Sequence, residues 1–229
     1  MLMDINAQSP RHSVATHLLA ACLLSFSTSA LACNNALEIK AGAEVPSELK
    51  TITKQIAAKF CDQQVKLKRP ADRQKVVITD GRRETGRQAR YIAACMKQSN
   101  KCSHYENQEA IKELKKVWED TADAKRLAAL KRKIDDQVSR KCFLSKHLSS
   151  RALDLRRFDH ATKANCSALK ADDKRLYDII RSYKYKARGS DGKERKYSAK
   201  VILCEGSKAD HFHLNFEPLG FDPKKCPKG

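Results

Sequence analysis

The stretch SKHLSSRALD, residues 145–154, places a histidine, His147, seven residues before an acid, Asp154. A second stretch, DHFHLNF at residues 210–216, carries two histidines two positions apart. The two stretches hold three of the five histidines that follow residue 32. Histidine and aspartate are common metal ligands, so their concentration in two short stretches predicts one shared site.

The second stretch has the alternation of a β-strand. Side chains two residues apart share one face of a strand, so His211 and His213 can point into the same site. A zinc ion held by two imidazoles and one carboxylate keeps a fourth position open, and water is then the nucleophile. A cysteine zinc site is not expected, because the chain contains no Cys-x-x-Cys spacing.

Apolar spacing along the rest of the chain predicts a mixture of helices and strands. Helices are expected over residues 47–60, 87–97 and 167–183, and strands over 75–79, 199–204 and 211–216. The densely charged residues 106–140 are expected to form one long amphipathic helix or a helical hairpin, and residues 184–196 a basic loop.

The chain is strongly basic. Lysine and arginine number 46 against 27 aspartates and glutamates, which gives a formal net charge of +19. Such a charge favours anionic polymers, among them nucleic acids and the peptides of peptidoglycan. The basic residues are not interleaved with aromatic residues, as base-stacking surfaces require, so no specific nucleic-acid partner is predicted.

Residues 1–32 have the pattern of an export signal. An apolar run over residues 18–26 is too short to span a bilayer, and the Ala-x-Ala pattern ending at Ala32 predicts cleavage before Cys33. A lipid anchor on Cys33 is the less favoured alternative, because Ala30 stands where such sites normally have leucine. We therefore expect a periplasmic or secreted protein with no stable membrane span.

Cysteine usage agrees with export. Eight cysteines follow the predicted signal, an even number that suggests four disulfides in an oxidising compartment. Many pairings are open to eight cysteines. The simplest expectation joins nearest neighbours: Cys33 with Cys61, Cys95 with Cys102, Cys142 with Cys166, and Cys204 with Cys226.

Three motifs in order resemble a known family. SKHLSSRALD resembles the Ser-x-His-x-x-Gly-x-Ala-x-Asp signature of the zinc D-Ala-D-Ala peptidases, a group of peptidoglycan hydrolases, and DHFHLNF resembles their His-x-His strand. VVITDGRRETGRQ, residues 76–88, is similar to the strand and turn that precede them. The cysteine content and the stretch His-Phe-His-Leu also resemble the bacterial extensin-like C-terminal domains, which look like relatives of the same fold. The resemblance implies an α+β, zinc D-Ala-D-Ala peptidase/hedgehog-like core within a single disulfide-stabilised domain, residues 33–229, with a helical insertion at about 103–141.

The resemblance also implies a metal ligand set. His147, Asp154 and His213 match the positions that bind zinc in that family.

Three further residues receive catalytic roles from the same comparison. Arg83 would neutralise the oxyanion that forms on the substrate. Asp210 would be the general base, and His211 would stabilise the oxyanion or position the substrate. If the short Asp210 side chain cannot reach the attacking water, His211 becomes the base.

The chain departs from the family pattern at five positions. Ser150 replaces a glycine, Asp80 and Arg82 replace a serine and a tyrosine, and Asn215 stands where an aspartate often follows the histidine pair. Asp210 is one methylene shorter than the glutamate that many members have there. A serine at position 150 costs about 1 kcal/mol if its φ is positive.

We therefore expect an exported zinc metallopeptidase that hydrolyses amide bonds in peptidoglycan stem peptides or cross-links. The sequence leaves a carboxypeptidase and an endopeptidase open. A protein of the same fold that binds zinc and the cell wall without catalysis is one alternative. An antibacterial effector using the same chemistry is another.

Overall fold

The structure is a computed structural model that describes residues 33–98, 102–159, 163–182, 184–189, 191–204 and 210–218. The helices are α1 (Ser47–Lys66), α2 (Thr85–Met96), α3 (Gln108–Asp120), α4 (Asp123–Ser139) and α5 (Ala171–Ser182). The strands are β1 (Leu37–Ile39), β2 (Val76–Asp80), β3 (Ala152–Arg156), β4 (Tyr185–Arg188), β5 (Glu194–Ile202) and β6 (His211–Pro218). The α+β class is confirmed, whereas the predicted signal at residues 1–32 lies outside the described residues.

The described strands form one sheet in the order β1-β2-β3-β6-β5-β4. β1 and β2 run parallel, and every other neighbouring pair is antiparallel. The two strands that carry the predicted site, β3 and β6, are therefore neighbours. Their register sets Asp154 directly opposite His213.

One face of the sheet packs against α1 and α5. Strand β6 alternates, so that Phe212, Leu214 and Phe216 are fully buried on this face while its histidines lie on the other. Each fully buried side chain of this kind contributes about 1.5–3 kcal/mol. This apolar face fixes the register of β6, because a shift by one residue would turn the histidines into the core.

Helices α2, α3 and α4 form a second core with the segment that precedes β3. Leu114, Leu130, Ile134 and Leu144 are among its buried residues. The charged region is a helical hairpin and not one long helix, because the backbone becomes extended at Thr121 between α3 and α4. Among the described residues no helix combines the length and the apolar character needed to cross a bilayer.

Two predictions of local structure were incomplete. The expected basic loop over residues 184–196 contains β4 and the start of β5, which pair as a hairpin with Tyr185 opposite Tyr197. Buried and exposed residues alternate in β4, as they do in a half-buried strand. The many lysines and arginines of this region obscure that pattern in the sequence. Strand β1 has three residues, too few for a clear periodic signal. Strand β3 was missed although Leu153 and Leu155 alternate with Asp154 and Arg156.

Disulfides join Cys33 to Cys61, Cys95 to Cys102, and Cys166 to Cys204. The first two nearest-neighbour pairs are confirmed. The pairs Cys142–Cys166 and Cys204–Cys226 are wrong, because the fold brings the end of β5 to the segment after β3, where the Cα atoms of Cys166 and Cys204 lie 5.5 Å apart. Cys142 is disulfide-bonded as well.

Candidate metal centre

His147, Asp154 and His213 converge on the face of the sheet opposite the α1/α5 core. Asp154 lies in the middle of β3, His213 lies beside it on β6, and His147 comes from the turn before β3. Each residue is at most 5% exposed. The ligand atoms of these three residues all lie within 4.8 Å of one another, so the group could hold a metal ion.

The turn that carries His147 is closed by backbone hydrogen bonds. The amide of Arg151 donates to the carbonyl of Lys146, and the amide of Ser150 donates to that of His147. This is the hydrogen-bond pattern of a Schellman motif, in which the penultimate residue adopts a left-handed conformation. Ser150 has a φ of 58°, so the positive φ considered from the sequence is present. The glycine that the family signature has there would adopt this conformation without strain.

The distances within the cluster fit a small tetrahedral ion. His147 Nε2 lies 3.3 Å from His213 Nδ1 and 3.4 Å from Asp154 Oδ1, and His213 Nδ1 lies 2.9 Å from Asp154 Oδ1. Two ligands about 2.0–2.1 Å from a tetrahedral ion are roughly 3.3 Å apart. Two of the three distances match this separation, and the third is shorter by a few tenths of an ångström.

In His147 and His213, one ring nitrogen points toward the cluster and the other points away from it. The hydrogen bond made by the outward nitrogen determines whether the inward nitrogen carries a proton or a lone pair. His147 Nδ1–H donates to the Gly81 carbonyl at 2.5 Å, and His213 Nε2–H donates to Asn215 Oδ1 at 2.9 Å. In the neutral imidazoles, the inward nitrogens then carry lone pairs. Two lone pairs and a carboxylate oxygen facing one another repel unless a metal ion or a proton lies between them.

Gly81 is required by the space around it. A Cβ at this position would lie 3.0 Å from the carbonyl carbon of Glu44, closer still to its oxygen, and 3.4 Å from Leu153 Cδ2. The absent side chain lets the backbone of residue 81 pass close to Glu44 while its carbonyl reaches His147.

A β-bulge brings Asp80 onto the same face. Ile78 pairs with Leu155 and Asp80 with Asp154, so one extra residue, Thr79, is inserted on β2. If β2 alternated regularly, Asp80 would share the face of Ile78, two residues earlier, and would point to the apolar core. The bulge therefore sets two buried carboxylates, 6% and 5% exposed, side by side on neighbouring strands.

Arg83 holds these two carboxylates together. Its Nε donates to Asp80 Oδ2 at 2.9 Å, and its Nη2 donates to Asp154 Oδ2 at 3.4 Å. Asp154 therefore uses Oδ2 for the guanidinium and Oδ1 for the cluster. Burial by itself would raise the pKa of Asp154. When the imidazoles of His147 and His213 are protonated, their hydrogen bonds and positive charges outweigh burial and hold the pKa of Asp154 well below its usual range.

His211 lies at the edge of the cluster. Its Nε2 is 3.9 Å from Asp154 Oδ1, and its Nδ1 is 3.0 Å from Asp210 Oδ1. The Asp210 side chain is 63% exposed and lies on the far side of the imidazole from Asp154. The ring of His211 thus separates the Asp210 carboxylate from the cluster.

The helical part of the molecule adds two residues that the motifs did not indicate. Arg87 donates to Asp80 Oδ1 at 3.0 Å, and the Tyr91 ring lies 5.1 Å from the Arg83 guanidinium carbon and 5.8 Å from that of Arg87. Tyr91 is 42% exposed. Arg87 lies within the stretch 76–88 but received no role there, and Tyr91 follows it by four residues on the same face of α2, which is the spacing that could have suggested the pair.

Comparison with known proteins adds no assignment, since no protein-family model, curated protein or solved structure matches the chain. The interpretation of the site therefore depends on its own geometry. All six residues proposed from the sequence lie on one face of the sheet or in the turns that border it, and three of them form the metal-compatible cluster.

Proposed function

We propose that the protein is an exported zinc metallopeptidase that hydrolyses amide bonds in peptidoglycan peptides. The observation that carries this proposal is the set of three lone-pair donors, His147 Nε2, Asp154 Oδ1 and His213 Nδ1, at separations near those of tetrahedral zinc ligands. Two imidazoles and one carboxylate are a ligand set used by catalytic zinc sites. Histidines that bind zinc typically donate the N–H of their other ring nitrogen to a carbonyl oxygen, as His147 and His213 do here.

Bound zinc would supply a water activated at neutral pH and a Lewis acid for the substrate carbonyl. In this chain His211 is the group best placed to accept the proton of the attacking water, because its Nε2 faces the cluster. Asp210 would accept the Nδ1–H of His211 and fix its orientation. The geometry favours this division over Asp210 as the base, since the imidazole lies between its carboxylate and the cluster.

Arg83 would stabilise the negative charge that develops on the substrate oxygen. Its guanidinium has five N–H groups, and the contacts to Asp80 and Asp154 use only part of them. These contacts fix the guanidinium in a partly buried position, with a side chain 13% exposed. A donor held in place before the reaction is what electrostatic stabilisation requires.

The substrate class is proposed from the compartment, the charge and the family resemblance. Three disulfides fit an oxidising compartment such as the periplasm or the extracellular space. Stem peptides of peptidoglycan carry free carboxylates, which a net charge of +19 attracts. The fold would then be the zinc D-Ala-D-Ala peptidase core, with the α3/α4 hairpin as its insertion.

The test combines metal analysis with digestion of isolated peptidoglycan, in which the released products are identified by mass. We expect about one zinc per chain, and loss of both zinc and hydrolysis in His147→Ala and Asp154→Ala. His211→Ala should keep zinc but lose roughly 10²–10⁴-fold in hydrolysis, the usual contribution of a positioned base. Asp210→Asn should lose less than His211→Ala.

Two results would overturn this proposal. Unchanged zinc content in His147→Ala and His213→Ala would remove the metal centre. Stoichiometric zinc with no peptide or D-alanine released, while the protein still binds the wall, would leave the non-catalytic binding protein as the function. A third result would change one role and leave the proposal standing: equal activity of His211→Ala and wild type would return the role of base to Asp210.

A further inference from the structure

A pocket of about 410 Å³ lies beside the metal-compatible cluster. Its lining includes Lys40, Thr79, Arg156, Asp159, Asp210 and His211. His211 belongs both to this pocket and to the edge of the cluster, so the two are adjacent. The volume lies in the range of sites that bind small molecules or parts of larger ones.

The pocket is built on the central strands. Arg156 follows Asp154 by two residues on β3 and pairs with His211 on β6, so it lies on the same face as the cluster. The amide of Lys40, directly after β1, donates to the Ile78 carbonyl at 3.0 Å. Both cations are therefore attached to the sheet at fixed positions, and only their side chains are free to adjust.

The charges in the pocket are unevenly compensated. Asp159 pairs with Arg73 at 3.4 Å. Asp210 contacts the imidazole of His211, which is neutral when it acts as a base, so this contact leaves the negative charge of Asp210 in the pocket. Arg157, which also borders the pocket, is 5% exposed and pairs with Asp173 at 3.1 Å. In contrast, no carboxylate of the described residues forms an ion pair with Lys40 or Arg156.

We infer that this pocket is a subsite for a carboxylate of the substrate, bound by Lys40 and Arg156 together. A strand rises about 3.3 Å per residue, so the Cα atoms of Arg156 and Asp154 are roughly 7 Å apart. A carboxylate held there belongs to a residue within one or two positions of the cleaved bond. The inference rests on the proposed peptidase function and specifies the charge of its substrate next to that bond.

The test uses two peptides that differ in one group. The first is L-Lys-D-Ala-D-Ala acetylated on both lysine amines, whose only charge is its terminal carboxylate, and the second is its terminal carboxamide. The variants are Lys40→Gln, Arg156→Gln and the double variant. The matched control is the double variant Lys54→Gln/Arg132→Gln, which removes a lysine and an arginine exposed on α1 and α4.

For zinc-loaded wild type we expect a KM for the carboxylate peptide roughly 10-fold below that for the carboxamide, as charged hydrogen bonds of ordinary strength give. The double pocket variant should lose this preference while its kcat changes less than about twofold. Because surface charge pairs are screened, the preference should also shrink in 1 M salt. The control variant should keep the preference.

If wild type shows no turnover, the proposed function fails, and equilibrium binding of the two peptides to the same zinc-loaded protein then tests the subsite directly. Tighter binding of the carboxylate peptide that is lost in the double pocket variant would support the subsite without the enzyme. Equal KM values for both peptides in wild type and the pocket variants would overturn the subsite while the peptidase stands. If the control variant loses the preference for the carboxylate peptide as fully as the double pocket variant does, the preference arises from net charge, and the subsite is overturned.

Discussion

Replacing Gly81 by alanine tests the link between backbone packing and the metal centre. The new Cβ would lie 3.0 Å from the carbonyl carbon of Glu44. Nonbonded carbons sit about 3.5–4.0 Å apart, so the backbone of residue 81 must move by at least about 0.5 Å. Overpacking of this kind costs about 1–3 kcal/mol, and the displaced carbonyl would weaken its hydrogen bond to His147 Nδ1. Loss of such a partner lowers metal affinity about 10–100-fold.

The assay is competition for zinc against a chelator, together with urea unfolding of the zinc-free protein. Gly86→Ala is the matched control, because a Cβ there meets only Lys131 Cε at 3.9 Å in the first turn of α2. The control should keep its zinc affinity and gain up to about 0.5–1 kcal/mol of stability. A Gly81→Ala protein with wild-type zinc affinity and unfolding free energy would refute the argument that this close approach positions His147.

Three further changes have expected outcomes. Ser150→Gly relieves a positive φ and should raise the unfolding free energy by about 1 kcal/mol in a urea titration, whereas an unchanged or lower value would contradict the strain at this turn. Asn215→Leu removes the acceptor of His213 Nε2 and should weaken zinc binding about 10–100-fold by chelator competition; unchanged affinity would show that this hydrogen bond is dispensable. Burial and the hydrogen bond to Glu48 raise the pKa of Tyr197 to about 12. A raised pKa stabilises the fold below the unfolded value near 10. Because water screens part of this interaction, wild type should lose about 1 kcal/mol between pH 10 and pH 12 that Tyr197→Phe does not lose, and parallel pH curves would contradict the assignment.

Strand β6, which carries the predicted site residues His211 and His213, could be predicted from the sequence. In β6 the aromatic and aliphatic residues Phe212, Leu214 and Phe216 alternate with polar ones, and each of them is fully buried. Because these three residues occupy the apolar face, a strict period of two places the residues between them on the opposite face. The placement of His211 and His213 on a common face follows from that period alone.

The pairing of cysteines and strands was harder to predict from the sequence, because it depends on contacts between residues that are far apart in the chain. Cys166 pairs with Cys204 and not with a nearer cysteine, since β5 returns to the segment after β3. The position of Asp80 depends on a bulge of one residue at Thr79, which no local propensity marks. An unbulged β2 would have directed Asp80 into the apolar core, so its presence at the site could not be predicted from alternation.

The choice among neighbouring arginines is the clearest case in which tertiary contacts decide the role. Arg82 points outward to Glu44, with a side chain 55% exposed, while Arg83 is 13% exposed between Asp80 and Asp154. Two buried carboxylates paired across strands repel each other unless cations compensate both. Arg83 compensates the Oδ2 atoms, and Arg87 compensates the remaining oxygen of Asp80. Asp154 Oδ1 is then the one oxygen of the pair that faces lone pairs instead of a guanidinium, so the arrangement that holds Asp80 in place is also the one that leaves the cluster in need of a cation.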